Sequence, residues 1–124
     1  MKYYCIKQHD MTDCGAACLA TISKQNGYKI GITKIREVAG TDKQGTNVYG
    51  LIKAAEQLGF SAKGIRGTQE AFFSDFPLPC IAHMVVEGSL LHYVVIHKIT
   101  KKQIIIADPG RGIIQPDIFT GRMI

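Results

Sequence analysis

A chain of 124 residues that is 46% hydrophobic and 20% charged, with 13 Gly and 4 Pro, has the size and balance of one globular domain, which excludes fibrous and disordered classes. Its net charge of +5 comes from Lys and Arg scattered from Lys2 to Arg122, with Lys101 and Lys102 as the adjacent pair, so no basic stripe for nucleic acid is expected. The opening MKYYCIKQHD has no apolar signal core and no run of about 18 apolar residues marks a membrane span, so the cytosol is the default compartment and Cys5, Cys14, Cys18 and Cys80 read as free thiols.

After a short extended YYCI piece, Thr12 or Asp13 can cap a helix from about Cys14 to Gln25 that stops at Asn26 and Gly27. Gly15, Ala16, Ala17, Cys18 and Ala20 leave its first turns without a polar stripe, so burial nearly all round is expected. A second short helix fits Ile32 to Val38 before Gly40. Thr46 is the expected cap of a third, where Val48, Leu51, Ile52, Ala55 and Leu58 recur at helical spacing up to Gly59.

From Phe60 the preference changes. FSAKGIR, LPCIAHMVV, LLHYVVIHKI and QIIIAD are rich in β-branched residues and read as strands, with one helical turn in TQEAFFSDF. The long apolar runs predict central strands covered on both faces. Helices first and an antiparallel sheet afterwards make the class α+β: a helical lobe over about 1–59, a sheet lobe over about 60–124, and a cleft between them.

Cys14 stands at the start of the first helix, where unpaired backbone N–H groups and the positive end of the dipole favour a thiolate. Position alone leaves it open between a nucleophile and a small core hydrophobe. A nucleophilic thiol needs a base, and the histidines are His9, His83, His92 and His97.

If Ile99, Thr100 and Lys101 form a hairpin loop, Lys98 pairs with Lys102, Ile96 with Ile104, Val94 with Ile106, and His92 with Asp108. Residues directly opposite on antiparallel strands have Cβ atoms about 4.5–5.5 Å apart, near enough for the carboxylate to hold one imidazole nitrogen and leave the other for Cys14. An even loop would put Asp108 on the opposite face. His97 falls on the other face at the strand's exposed end, His83 reads as a packed strand histidine, and His9 as a loop residue. Gln8 offers a side-chain amide for an oxyanion, beside the backbone N–H of the nucleophile. A zinc site through Cys14 and Cys18 is disfavoured, because a second close ligand pair is missing and His92 and His97 point to opposite faces.

The segments QHDMTDC, DCGAACLA, HYVVIHKI, ADPGRG and FTG together resemble the bacteriocin-processing, double-glycine leader peptidases, papain-like cysteine proteases at the cytoplasmic N-terminus of ABC exporters. The resemblance covers essentially the whole chain. It implies a papain-like α+β fold, Cys14 as nucleophile, His92 as general base and then acid, Asp108 as the residue orienting His92, and Gln8 as oxyanion donor, with no cofactor and no metal. It implies cleavage of a secreted peptide's leader after a Gly-Gly pair, in a cleft too narrow for side chains. The leader is expected to be an amphipathic helix lying in an apolar groove.

The implied partners are that leader and the transmembrane and nucleotide-binding domains of the same transporter, at the cytoplasmic face of a bacterial cell membrane. The chain then reads as a single peptidase domain, 1–124, from the N-terminus of a longer exporter and soluble when isolated. Some related domains lack the nucleophile and only dock leaders, which is the alternative function.

Overall fold

The computed structural model describes residues 2–41, 45–62, 78–86, 90–100, 104–115 and 122–123. A short 3-10 turn, Met11–Asp13, leads directly into helix α1, Cys14–Gln25. Asp13, one of the two expected caps, is the N-cap residue of α1, but its side chain makes no capping bond within that helix; the side-chain cap is that of Asp10 on the 3-10 turn before it. Asp10 accepts the Thr12 N–H at 2.8 Å, while the Asp13 carboxylate turns back to accept the N–H groups of His9 and Asp10 at 3.1 and 3.2 Å. A residue that starts a tight turn satisfies its donors before the helix proper begins, which leaves Asp13 free for that reach.

Helix α1 is buried over most of its length because its residues are small. A Cβ at Gly15 would come within 3.3 Å of both Leu51 and Tyr93, so a glycine there lets the helix lie against its neighbours. The buried hydroxyls are satisfied: Thr21 accepts the Ile6 N–H at 2.9 Å and Ser23 donates to the Leu19 carbonyl at 2.8 Å.

Helices α2 (Ile32–Ala39) and α3 (Val48–Gln57) close an apolar cluster over α1 with Ala16, Leu19, Ala20, Ile35 and Ala54 at its centre. The N-cap of α3 is Asn47, whose Oδ1 accepts the Gly50 N–H at 2.7 Å; it is not Thr46, which is buried and shares a hydrogen bond with the Thr41 hydroxyl. A Cβ on Gly50 would fall 2.3 Å from the Ala39 carbonyl, so this glycine sets how closely α3 approaches α2.

The strands are β1 (Cys80–Val86), β2 (Leu90–Ile99), β3 (Ile104–Asp108), β4 (Gly112–Ile114) and β5 (Arg122–Met123), all antiparallel, in the order β4-β3-β2-β1-β5. The short β4 and β5 carry too few residues for alternation to announce them. Phe60–Ala62 form no strand, and the rest of FSAKGIR and all of TQEAFFSDF lie outside the described residues, as does FTG.

One sheet face packs Tyr93, Val95 and Ala107 against Cys18 of α1 and Leu51 of α3; the other gathers Ala82, Val94, Ile96, Ile104 and Ile106, all buried. The result is α+β. The segment before α1 joins the halves: Ile6 bonds to α1, and Gln8 N–H donates to the Pro109 carbonyl at 3.0 Å.

The β2–β3 hairpin departs from the expected pairing. Val95 faces Ala107 and Ile96 faces Ile106, whereas nearer the tip Lys98 faces Ile105 and Ile99 faces Ile104. His97 is an extra residue on β2, a bulge. Consequently Asp108 does not lie directly across from His92. Continuing the ladder sets it across from Val94, so His92 is its diagonal neighbour, and the change of two positions keeps both on one side of the sheet.

Candidate active site

Three segments far apart in sequence converge at one end of β2: the loop and helix start 8–14, His92, and the Asp-Pro-Gly-Arg turn 108–111. The Asp10 to Asp13 turn delivers Cys14 as the first residue of α1. Burial opposes ionisation of its thiol, but hydrogen bonding to the His92 imidazole and to the N–H groups of Tyr93 and Gly15 outweighs it, and the pKa lies below the ordinary value. Cys18 is fully buried and pushed well above that value, burial raises Cys5 as well, and burial alone pushes Cys80 up to about 11. Of four thiols, Cys14 is the one stabilised as thiolate.

His92 Nε2 lies 2.7 Å from Asp108 Oδ1. The Asp108 side chain is 2% exposed, and three donors meet it: His92, the Gly110 N–H at 2.8 Å on the same oxygen, and Arg111 Nε at 2.9 Å on Oδ2. Burial opposes its charge, yet these donors hold its carboxyl well below the usual carboxylate range. An ionised carboxylate only accepts, so Nε2 carries the proton of that bond and Nδ1 is the nitrogen left for Cys14. Asp108 first and Cys14 second raise the His92 pKa to about 9, against the opposing effect of burial.

The diagonal reach from β2 to Asp108 is closed by the turn. The Arg111 N–H bonds to the Asp108 carbonyl at 3.0 Å, folding Gly110 and Arg111 back over the carboxylate. Neither Gly110 nor Arg111 was among the candidates from sequence. The available signal was the Asp-Pro-Gly-Arg turn itself, which brings its first and fourth residues together.

Gln8 stands at the same junction. Its Nε2 donates to the Asp10 carbonyl at 3.1 Å, and its Oε1 is buried with no hydrogen-bond partner among the described residues. A Cβ built on Gly110 would meet Asp108 Oδ1 at 3.4 Å, Gln8 Oε1 at 3.9 Å and His92 Nε2 at 4.0 Å, which marks Gly110 as the point where the three side chains come together.

The other histidines do different things. His83 stacks on Tyr93 with ring centroids 4.2 Å apart and an interplanar angle of 12°, and burial lowers its pKa. His97, expected at an exposed strand end, is 7% exposed. The bulge turns it inward, where its Nε2 bonds the Tyr4 carbonyl at 2.9 Å and its ring lies against Tyr3. Among the described residues no three His, Cys, Asp or Glu side chains gather as a metal site.

The geometry is that of a thiol, an imidazole and a carboxylate joined in series, which is competent for nucleophilic attack on an acyl carbon. Residues 2–118 match the sequence model of the peptidase C39 family. The chain is 44% identical over 114 residues to the lactococcin-G-processing and transport ATP-binding protein LagD of Lactococcus lactis subsp. lactis, covering 91% of this chain and 16% of that protein. It is 39% identical over 109 residues to the pediocin PA-1 transport/processing ATP-binding protein PedD of Pediococcus acidilactici, covering 87% of this chain and 15% of that protein.

Two solved structures are similar. One is the peptidase domain of Streptococcus ComA, a bi-functional ABC transporter involved in a quorum sensing pathway, with TM-score 0.84, 34% identity, and coverage of 94% of this chain and 87% of that one. The other is a double glycine motif protease from an AMS/PCAT transporter in complex with the leader peptide, with TM-score 0.83, 29% identity, and coverage of 94% and 80%.

Proposed function

The chain belongs to the peptidase C39 family of cysteine peptidases, and we propose that it removes the leader of a secreted, bacteriocin-like peptide precursor after a Gly-Gly pair, using Cys14, His92, Asp108 and Gln8. The observation that carries the site assignment is the convergence of three groups: His92 Nε2 lies 2.7 Å from Asp108 Oδ1, and the His92 ring is close enough to the Cys14 thiol to favour its thiolate. The processing relatives and the double glycine motif protease with its leader support the substrate class.

In the reaction the Cys14 thiolate attacks the carbonyl carbon of the second glycine. The resulting oxyanion takes hydrogen bonds from the Cys14 backbone N–H and from Gln8 Nε2, which has a second hydrogen beyond the one held by Asp10. The imidazolium of His92 passes its proton to the departing amine, the C–N bond breaks, and a thioester remains on Cys14. His92, now neutral, takes a proton from water as it attacks the thioester. The leader leaves with a new carboxylate, and the thiolate and imidazolium are restored. Asp108 keeps Nε2 engaged throughout, so that Nδ1 faces the sulfur.

Since the chain spans 16% and 15% of those transport proteins, we also assign it as the peptidase part of an ABC exporter, working at the cytoplasmic membrane face beside that exporter's membrane and nucleotide-binding domains. Among the described residues no helix is long and apolar enough to cross a membrane.

The test is incubation of a synthetic double-glycine precursor with the wild-type chain and with Cys14→Ala, the new terminus being located by mass. Cleavage after Gly-Gly by the wild type and none by Cys14→Ala is expected. An intact precursor that co-elutes with the wild type would make the chain a leader-docking domain instead.

A further inference from the structure

Asp108 holds His92 with one oxygen only. Oδ1 receives His92 Nε2 at 2.7 Å and the Gly110 N–H at 2.8 Å, while Oδ2 faces Arg111 Nε at 2.9 Å. The carboxylate is 2% exposed, so its oxygens depend on these protein donors rather than on bulk water. Two of them come from the turn backbone and from the opposite strand. The third comes from a side chain that is 61% exposed and anchored by its own N–H on the Asp108 carbonyl. Beyond these donors, the charged or titratable groups near Asp108 are Cys18 of α1 and, from the segment before α1, Cys5, whose Sγ donates to the Asp108 carbonyl at 3.4 Å, and Lys7 beside Gly112. Cys14 reaches Asp108 through His92.

We propose that Arg111 is a positioning residue of the site: its guanidinium locks the Asp108 carboxylate in the plane that presents Oδ1 to His92. This rests on the roles given above to Cys14, His92 and Asp108. Without a donor on Oδ2 a buried anionic oxygen is left unpaired, and the carboxylate rotates to find one, loosening the bond that keeps His92 protonated.

Two substitutions separate position from charge. Arg111→Gln keeps an N–H donor and removes the charge; Arg111→Ala removes both. For cleavage of a synthetic Gly-Gly precursor by Arg111→Ala, kcat falls by roughly tenfold, the effect of one hydrogen bond to a charged group, with KM unchanged. The basic limb of its pH profile moves to lower pH. Arg111→Gln keeps that limb in place or moves it to higher pH.

Both variants moving to higher pH together would mean that Arg111 acts only through its charge. A raised KM with unchanged kcat would make it a substrate contact, and an unmoved limb would make its role structural; each result overturns the proposal. Alkylation of Cys14 by iodoacetamide, followed by mass without any peptide, is the second measurement. Its midpoint moves to higher pH in Arg111→Ala and stays in Arg111→Gln. If that pattern appears while the wild type cleaves no leader, the substrate assignment fails and the positioning role stands.

Discussion

Cys14 and His92 share one proton problem, and each answers for the other. The thiol lies below its ordinary pKa because an imidazole bonds to it, and the imidazole rises to about 9 because Asp108 and then Cys14 bond to it. Between those values the sulfur is anionic and the ring cationic, which is the reactive form. Cleavage of a Gly-Gly precursor is therefore expected to rise as Cys14 ionises and to fall as the pH passes about 9, where His92 loses its proton. His92→Ala should cost about 10²–10⁴-fold in kcat/KM, the span of general acid and base catalysis. Asp108→Ala should cost less and shift the basic limb to lower pH, since the largest contribution raising His92 is gone. Cys18→Ala should keep activity, because that thiol lies in the apolar cluster with Leu51 and Val95. An inactive Cys18→Ala with an active Cys14→Ala would reverse the assignment of the nucleophile.

At the level of elements, the helices were readable because their apolar spacing and their terminal glycines agree. Cys14–Gln25 has the expected bounds, and Gly27, Gly40 and Gly59 all adopt the positive φ that ends a helix. Caps and register were not readable in the same way. The Asp10 to Asp13 turn depends on which of several Asp and Thr side chains finds the free N–H groups, and local sequence offers all of them. The bulge at His97 leaves no mark in an alternating pattern, although it moves every pair on the tip side of the hairpin. His92 and Asp108 still share a side because the shift at the base of the hairpin is even. The turn before α1 is tied to α2 through Arg36, which ion-pairs with the buried Asp13 and donates to Thr12 Oγ1 at 2.7 Å. Arg36→Ala leaves the Asp13 carboxylate short of a donor, and a loss of about 1–3 kcal/mol in urea unfolding is expected, reduced by the partial exposure of Arg36. Because the same carboxylate shapes the backbone at His9 and Asp10, kcat for leader cleavage should fall as well, whereas Arg36→Lys should recover part of both.

Across the whole molecule, the site is a junction between the helical half and the sheet, so its protonation is coupled to folding. His92 has a folded-state pKa of about 9 against an ordinary 6.5, so its contribution to stability is complete below about pH 6.5 and is lost as the pH rises through 9. Asp108 has the opposite sign. Its pKa is depressed, so its contribution is present above the ordinary 3.8 and is lost only as the pH falls toward its lower folded value. The contributions of these two groups overlap fully between about pH 4 and 6.5, while Cys14, whose pKa is lowered, adds its own contribution at higher pH. Above that range the difference in unfolding free energy between the wild type and His92→Ala should narrow steadily, until only the pH-independent part from lost packing remains near pH 10. A difference that stays constant from pH 6 to 10 would mean that His92 is not held protonated by the fold, and the thiolate of Cys14 would lose its counter-ion.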